Sequence, residues 1–147
     1  MPNWCNNTLI VEDISDELKE YLQDGFSFNK IKPCEETCES HVESWGTKWD
    51  LDENEQKLVA ESLINDEVAY FDTAWSPPLA AILELSRLFP DNKFTLLYVE
   101  TGMCFCGETD FKAGEEYENI YINGSGEEYD DFLIEKMGME DEVNTRD

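Results

Sequence analysis

The sequence predicts one α+β domain built on an antiparallel sheet, and three observations predict it. The 147-residue chain is 41% hydrophobic and 12% aromatic, enough for one core and too apolar for a disordered chain. Short β-branched or aromatic runs alternate with segments of helical periodicity. Proline and glycine stand where those segments change, at Ser76-Pro77, Pro90 and Gly114.

Asn7-Thr8-Leu9-Ile10-Val11 reads as the first strand. A helix follows, with Asp13 or Ser15 to cap it, acids Asp16 and Glu17 in its first turn, and Ile14, Leu18, Tyr21 and Leu22 on one face. Gly25 closes it. Residues 26–44 read mostly as loop with a short helix near Glu35–Ser40. Trp45, Thr47 and Trp49 alternate, which predicts a strand over 45–50. Residues 51–66 fit either a helix or an extended hairpin, and 68–75 reads as a buried strand. Ser76 before Pro77 predicts a capped helix whose stripe is Leu79, Ile82, Leu83, Ser86 and Phe89, stopped by Pro90. Residues 94–100 form a strand, and 103–111 with 117–122 form a hairpin. Tyr129, Phe132, Leu133 and Met137 mark a short amphipathic helix beyond Gly124-Ser125-Gly126.

The order is βαββαβ, the ferredoxin-like arrangement, with helices on one face and a C-terminal hairpin and short helix added. The expected domain is 1–126, with loop insertions at 26–44 and 51–66. Residues 127–147 are a short helix and an acidic tail.

The charge is lopsided: 35 Asp+Glu against 10 Lys+Arg, a formal −25. Residues 1–75 carry 18 acids and 5 bases, 76–100 carry 3 and 2, and 101–147 carry 14 and 3. The near-neutral middle belongs in the core and the acid on the surface. Such a surface excludes direct contact with nucleic-acid phosphates and with anionic membranes. It suits a partner with a basic surface. Local acid clusters occur at Glu35, Glu36, Glu39 and Glu43, and at Glu127, Glu128, Asp130 and Asp131.

No signal-like or membrane-spanning stretch is present, and five cysteines cannot all pair. The thiols therefore read as reduced and the protein as cytoplasmic. No catalytic constellation emerges. The single histidine, His41, sits among acids, which raise rather than lower a neighbouring thiol pKa. No phosphate-binding glycine loop occurs. Cys34, Cys38 and His41 share one loop, and Cys104 and Cys106 one strand face, so together they offer zinc ligands. Otherwise no cofactor is expected. Asp50, Asp52, Asn54 and Glu61 fall at calcium-loop spacings, but Glu55 occupies the position where that loop turns on glycine.

Four motifs stand in order: Met1-Pro2-Asn3-Trp4-Cys5-Asn6-Asn7, Trp45-Gly46-Thr47-Lys48-Trp49-Asp50, Phe71-Asp72-Thr73-Ala74-Trp75-Ser76-Pro77-Pro78, and Tyr98-x-Glu100-x-Gly102 running into Phe105-Cys106-Gly107. Over most of residues 1–122 the sequence resembles the YubB-like family of phages, conjugative plasmids and their bacterial hosts. The resemblance implies a ferredoxin-like domain in a mobile-element setting and supplies no activity. Trp4, Trp45, Trp49, Trp75, Tyr98 and Phe105 lie in these motifs, as core or as the lining of a pocket.

The expected function is a non-enzymatic acidic binding protein of a phage or mobile element. It would inhibit or modulate a host protein with a basic, nucleic-acid-binding surface, by mimicking nucleic acid, as an inhibitor of a defence system would. Two alternatives stand beside it. One is a zinc-dependent regulator or enzyme built on the cysteine and histidine residues. The other is an adaptor whose acid serves solubility alone.

Overall fold

The computed structural model describes residues 3–34 and 38–139, with the side chains of 38–40 outside that description. Five strands form one sheet in the order β2-β1-β3-β4-β5, every neighbouring pair antiparallel. They are β1 (Trp4–Glu12), β2 (Val68–Ala74), β3 (Lys93–Glu100), β4 (Phe105–Lys112) and β5 (Glu115–Asn123). Four helices join β1 to β2: α1 (Asp16–Leu22), α2 (Phe28–Ile31), α3 (Cys38–Trp45) and α4 (Glu53–Asp66). The helix α5 (Leu79–Leu88) carries the chain from β2 across β1 to β3. The last helix, α6 (Glu127–Glu135), follows β5.

Strand alternation divides the core in two. Odd-numbered residues of β1 and β2, such as Leu9, Val11, Ala69 and Phe71, join Phe94, Leu96, Tyr98 and Phe111 on a first face. That face is covered by helices α1 to α5, through Leu18, Leu22, Val59, Leu63, Ile82 and Leu85. Leu97, Val99 and Cys106 point to the second face, where Tyr129, Phe132 and Leu133 of α6 cover them.

Several expectations are corrected. The segment 45–50 is no strand: Trp45 ends α3 and residues 46–49 bend. The Trp–Thr–Trp alternation arises because Trp45 and Thr47 are both buried by contacts with other segments, while Trp49 faces out. Of the two alternatives for 51–66 the helix is the one present, α4 in place of an insertion loop, and Asp52 caps it through the Glu55 N–H at 2.8 Å. Its buried face is narrow, Val59, Ala60 and Leu63, so hydrophobic periodicity alone left it ambiguous. Residues 26–44 contain α2 and α3 rather than mostly loop. Ser76 does not cap α5; the helix starts after Pro78 with no side-chain cap. Helices α1 to α5 share the first face, as expected, and the added α6 lies on the second. Tyr129, Phe132 and Leu133 of α6 pack against Leu97, Val99 and Cys106. No helix among the described residues is long and apolar enough to cross a membrane.

Candidate partner-binding surface

The sequence motifs meet at one end of the β1–β2 pair and hold each other in place. The Thr47 hydroxyl donates to the Ala74 carbonyl at 2.8 Å, and the Ser76 hydroxyl to the Gly46 carbonyl at 2.6 Å. Gly46 has a left-handed φ of +93° and lies against the start of α5, where an added Cβ would sit 2.8 Å from Leu79 N and 2.9 Å from Pro77 O. Only glycine fits both the dihedral and the space. Asn7, buried on the first face, donates to the Thr73 hydroxyl at 2.9 Å, and Thr73 donates to the Ser76 carbonyl at 2.7 Å. The Trp45 indole donates to the Lys32 carbonyl at 2.8 Å and packs beside Phe28.

The fourth motif closes the β3–β4 turn. The buried Glu100 carboxylate accepts the Gly102 N–H at 2.6 Å and the Met103 N–H at 3.1 Å. Gly107 leaves room for the Tyr98 ring and hydroxyl, which a Cβ would meet at 2.4 Å. These motif residues are structural fastenings.

Three motif tryptophans are not in the core. Trp4, Trp49 and Trp75 are 46%, 40% and 43% exposed, whereas Trp45 and Tyr98 are buried and Phe105 packs on the first core. Trp4 and Trp49 rings lie 6.4 Å apart, and the Lys48 ammonium sits 5.2 Å over the Trp49 ring. Trp75 holds a left-handed backbone, φ +69°, with its N–H bound to the Asn3 carbonyl at 2.8 Å. That conformation is costly for a bulky residue, and it turns the ring outward.

From this aromatic end a groove of about 520 Å³ runs along β2. On the second face its lining includes Asn6, Thr8, Tyr70 and Asp72, walled by Met137 and Met139; across the strand it includes Glu55 and Leu58 of α4. Glu55 and Asp72 also line a smaller hollow of about 150 Å³ together with Trp4, Trp49, Asp50 and Asp52. Tyr70 is 75% and Leu58 54% exposed. The surface thus pairs exposed aromatics with carboxylates. Asp72 accepts one hydrogen bond, from the Asn6 amide at 2.7 Å. Partial burial, then the Asp52 carboxylate, then Asp72 hold the Glu55 carboxyl above its ordinary range. The ion pairs among the described residues are Arg87–Glu84, Lys93 with Glu12 and Asp110, and Lys136–Glu108. None of them neutralises this groove.

The other expected site residues are dispersed. Glu35 and Glu36 lie outside the described residues, as do the side chains of Cys38 and Glu39. Glu43 is exposed on α3, which packs on α5 at the first face. Glu127, Glu128 and Asp131 are exposed and Asp130 half-buried on α6, at the second face. Glu43 and the α6 acids therefore lie on opposite faces of the sheet.

Of the zinc candidates, the described ones are separated by the sheet. Cys34 packs on the first core and His41 stacks on Trp45 at 4.3 Å, its Nδ1 3.0 Å from the Lys48 carbonyl oxygen. Cys104 and Cys106 belong to the second core. Among the described residues no three His, Cys, Asp or Glu side chains are grouped to hold a metal. Burial pushes the Cys106 thiol up to about 11, and burial with the nearby Glu100 carboxylate pushes the Cys5 thiol far up. Neither is poised as a nucleophile.

The calcium-spaced acids have local duties. Asp50 accepts from the Ser27 hydroxyl at 2.6 Å and from the N–H groups of Phe28 and Asn29 at 2.9 and 3.1 Å, and Asp52 caps α4.

Sequence reasoning missed Tyr70, Leu58, Glu55 and Asp72. The alternation of Tyr70 and Asp72 with Phe71 and Thr73 was the available signal for a two-faced strand. That β2 is an edge is a property of the sheet order, which no local pattern carries.

An open antiparallel sheet with helices on both faces, fastened by buried polar motifs and bearing an acidic aromatic groove, defines an α+β domain of ferredoxin-like class. The chain belongs to the family of the ferredoxin-like domain in Api92-like protein, whose pattern it matches over residues 44–146. That match leaves out β1, the strand that joins β2 to β3. No curated protein and no solved structure matches the chain.

Proposed function

We propose that this protein is a non-enzymatic binding module that engages a partner protein through a basic surface on that partner. The observation that carries the reading is the groove along β2, where Glu55 and Asp72 stand un-neutralised beside exposed Tyr70, Trp49 and Trp4. Carboxylates beside aromatic faces are suited to Lys and Arg side chains, which gain ion pairing and cation–π contact together. A net charge of −25 adds long-range attraction to any basic surface. The resemblance of its motifs to phage and plasmid proteins supports a cytoplasmic role in a bacterial host. There the natural target is a host protein whose basic surface otherwise holds nucleic acid, a defence protein among them.

The test is affinity capture from bacterial lysate at low and high salt, followed by titration of the purified pair. A basic partner whose affinity falls steeply as salt rises is expected. A partner held equally at high salt, or the absence of any partner, would overturn the charge-based reading.

A further inference from the structure

We propose that the outer edge of β2 is a strand-docking site, which takes an extended basic segment of the partner protein as a sixth strand of the sheet. The inference rests on the binding reading above and specifies how the partner is held.

The backbone register fixes which groups are free. Trp75 N–H donates to Asn3 O and Val11 N–H to Glu67 O, and the β1–β2 register continues through Asn7↔Phe71 without a bulge. In an antiparallel ladder these bonded pairs recur at alternate residues. Residues 67, 69, 71, 73 and 75 therefore turn their backbone groups inward to β1. Val68, Tyr70 and Asp72 turn theirs outward. Ala74 ends the open edge, because its carbonyl is taken by the Thr47 hydroxyl at 2.8 Å and the Ser76 N–H at 2.9 Å.

The groove follows this edge. It has lining on both sides of β2, Tyr70, Asp72 and Met137 on one and Leu58 and Glu55 on the other. A strand laid there sends alternate side chains to the two sides. Each side offers one apolar surface, Tyr70 or Leu58, and one carboxylate, Asp72 or Glu55. A segment combining apolar residues with Lys or Arg satisfies both. The occupant is not a second copy of this chain, since two −25 surfaces repel. The sheet's other edge is guarded. β5 opposes a register irregularity at Glu108/Thr109 and exposes Glu115, Glu116 and Glu118, the charged, bulged pattern that discourages strand addition.

The probe is an acetylated, amidated octapeptide of repeating Lys-Lys-Val-Val, which sends both residue types to each side of the edge, titrated into the isotope-labelled protein at low salt. Its control is the same peptide N-methylated at every backbone amide, which keeps the charge and removes the backbone donors of both edges. Shifts confined to Val68–Ala74, Glu55, Leu58 and the Trp49 indole are expected, with new exchange protection at the Tyr70 and Asp72 amides. The control should bind at least ~10-fold more weakly. Tyr70→Ala removes the ring and Tyr70→Pro the ring with its outward N–H, as edge strands tolerate; the proline variant should bind the peptide at least ~10-fold more weakly than the alanine variant, both keeping the parent's circular dichroism, and equal binding by the two would overturn strand addition.

Equal binding of both peptides would overturn strand addition and leave the acidic-binding reading standing. Shifts centred on β5 or α6 would do the same. Failure of both peptides to bind at low salt would count against both.

Discussion

Replacing Gly46 by alanine should destabilise the fold far more than a glycine substitution normally does. Gly46 has φ +93°, and its missing Cβ would lie 2.8 Å from Leu79 N, 2.9 Å from Pro77 O and 3.2 Å from Ala80 N. All three are backbone atoms at the start of α5, so no side-chain rotation relieves the contact. The left-handed backbone costs alanine ~1–2 kcal/mol. Forcing the added carbon into packed surroundings costs a further ~1–3 kcal/mol. Together they predict a loss of about 2–5 kcal/mol, with the Ser76–Gly46 hydrogen bond strained in the process. Gly124 provides the control: its φ is +112°, and nothing lies within 4 Å of its missing Cβ. Gly124→Ala should therefore show the dihedral cost alone. Urea unfolding of both variants and the parent gives the comparison, and each kcal/mol should lower the melting midpoint by ~2–4 °C. If Gly46→Ala fell within ~0.5 kcal/mol of Gly124→Ala, the interlock of the Trp45–Asp50 and Phe71–Pro78 motifs would not be the rigid fastening described.

Other consequences are equally direct. Asp50→Ala removes the acceptor for Ser27, Phe28 and Asn29 and should cost ~1–2 kcal/mol by denaturant unfolding, as loss of a cap does. In the native state at mildly alkaline pH, Ellman's reagent should modify the half-buried Cys34 and Cys104 but not the fully buried Cys5 and Cys106, which react only once the protein unfolds. Glu55 has its carboxyl raised in the folded protein, so ionising it opposes folding: the relative stability is full below the unfolded carboxyl's pKa and is lost as pH rises through the raised one. Glu55→Gln should accordingly melt above the parent at neutral pH, with the difference closing below about pH 4; a variant that melts lower at neutral pH would contradict this.

Local chemistry made much of the fold legible. The Ser15 cap, the Pro90 stop and the β-branched strands all act within a few residues, and each element they predict is present. What was not legible depends on distant partners. Ser76 looks like a helix cap, yet its hydroxyl is claimed by Gly46, thirty residues away. Trp45 and Thr47 alternate like strand residues, but they are buried against α2 and β2 respectively. The candidate site was least legible of all. Trp4, Trp49 and Trp75 appear as good core residues in any composition argument. Trp4 begins β1, Trp75 follows β2 and Trp49 lies in the bend after α3, and all three are exposed there. Tyr70 and Asp72 become informative only through the sheet order, in which β2 has no outer neighbour among the described residues.

The measurement that bears most directly on the account is calorimetric titration of the purified partner recovered by capture against three forms of the protein. They are the parent, the groove variant Glu55→Gln/Asp72→Asn, and an α6 variant, Glu127→Gln/Glu128→Gln, that removes the same charge elsewhere. Charge-assisted contacts contribute ~1.5–3 kcal/mol each, so the groove variant should bind at least ~10-fold more weakly. The α6 variant should stay within about twofold of the parent, as expected for peripheral charges. Equal loss in both variants would mean that net charge, and not the β2 groove, holds the partner. No loss in either would contradict the account at its centre.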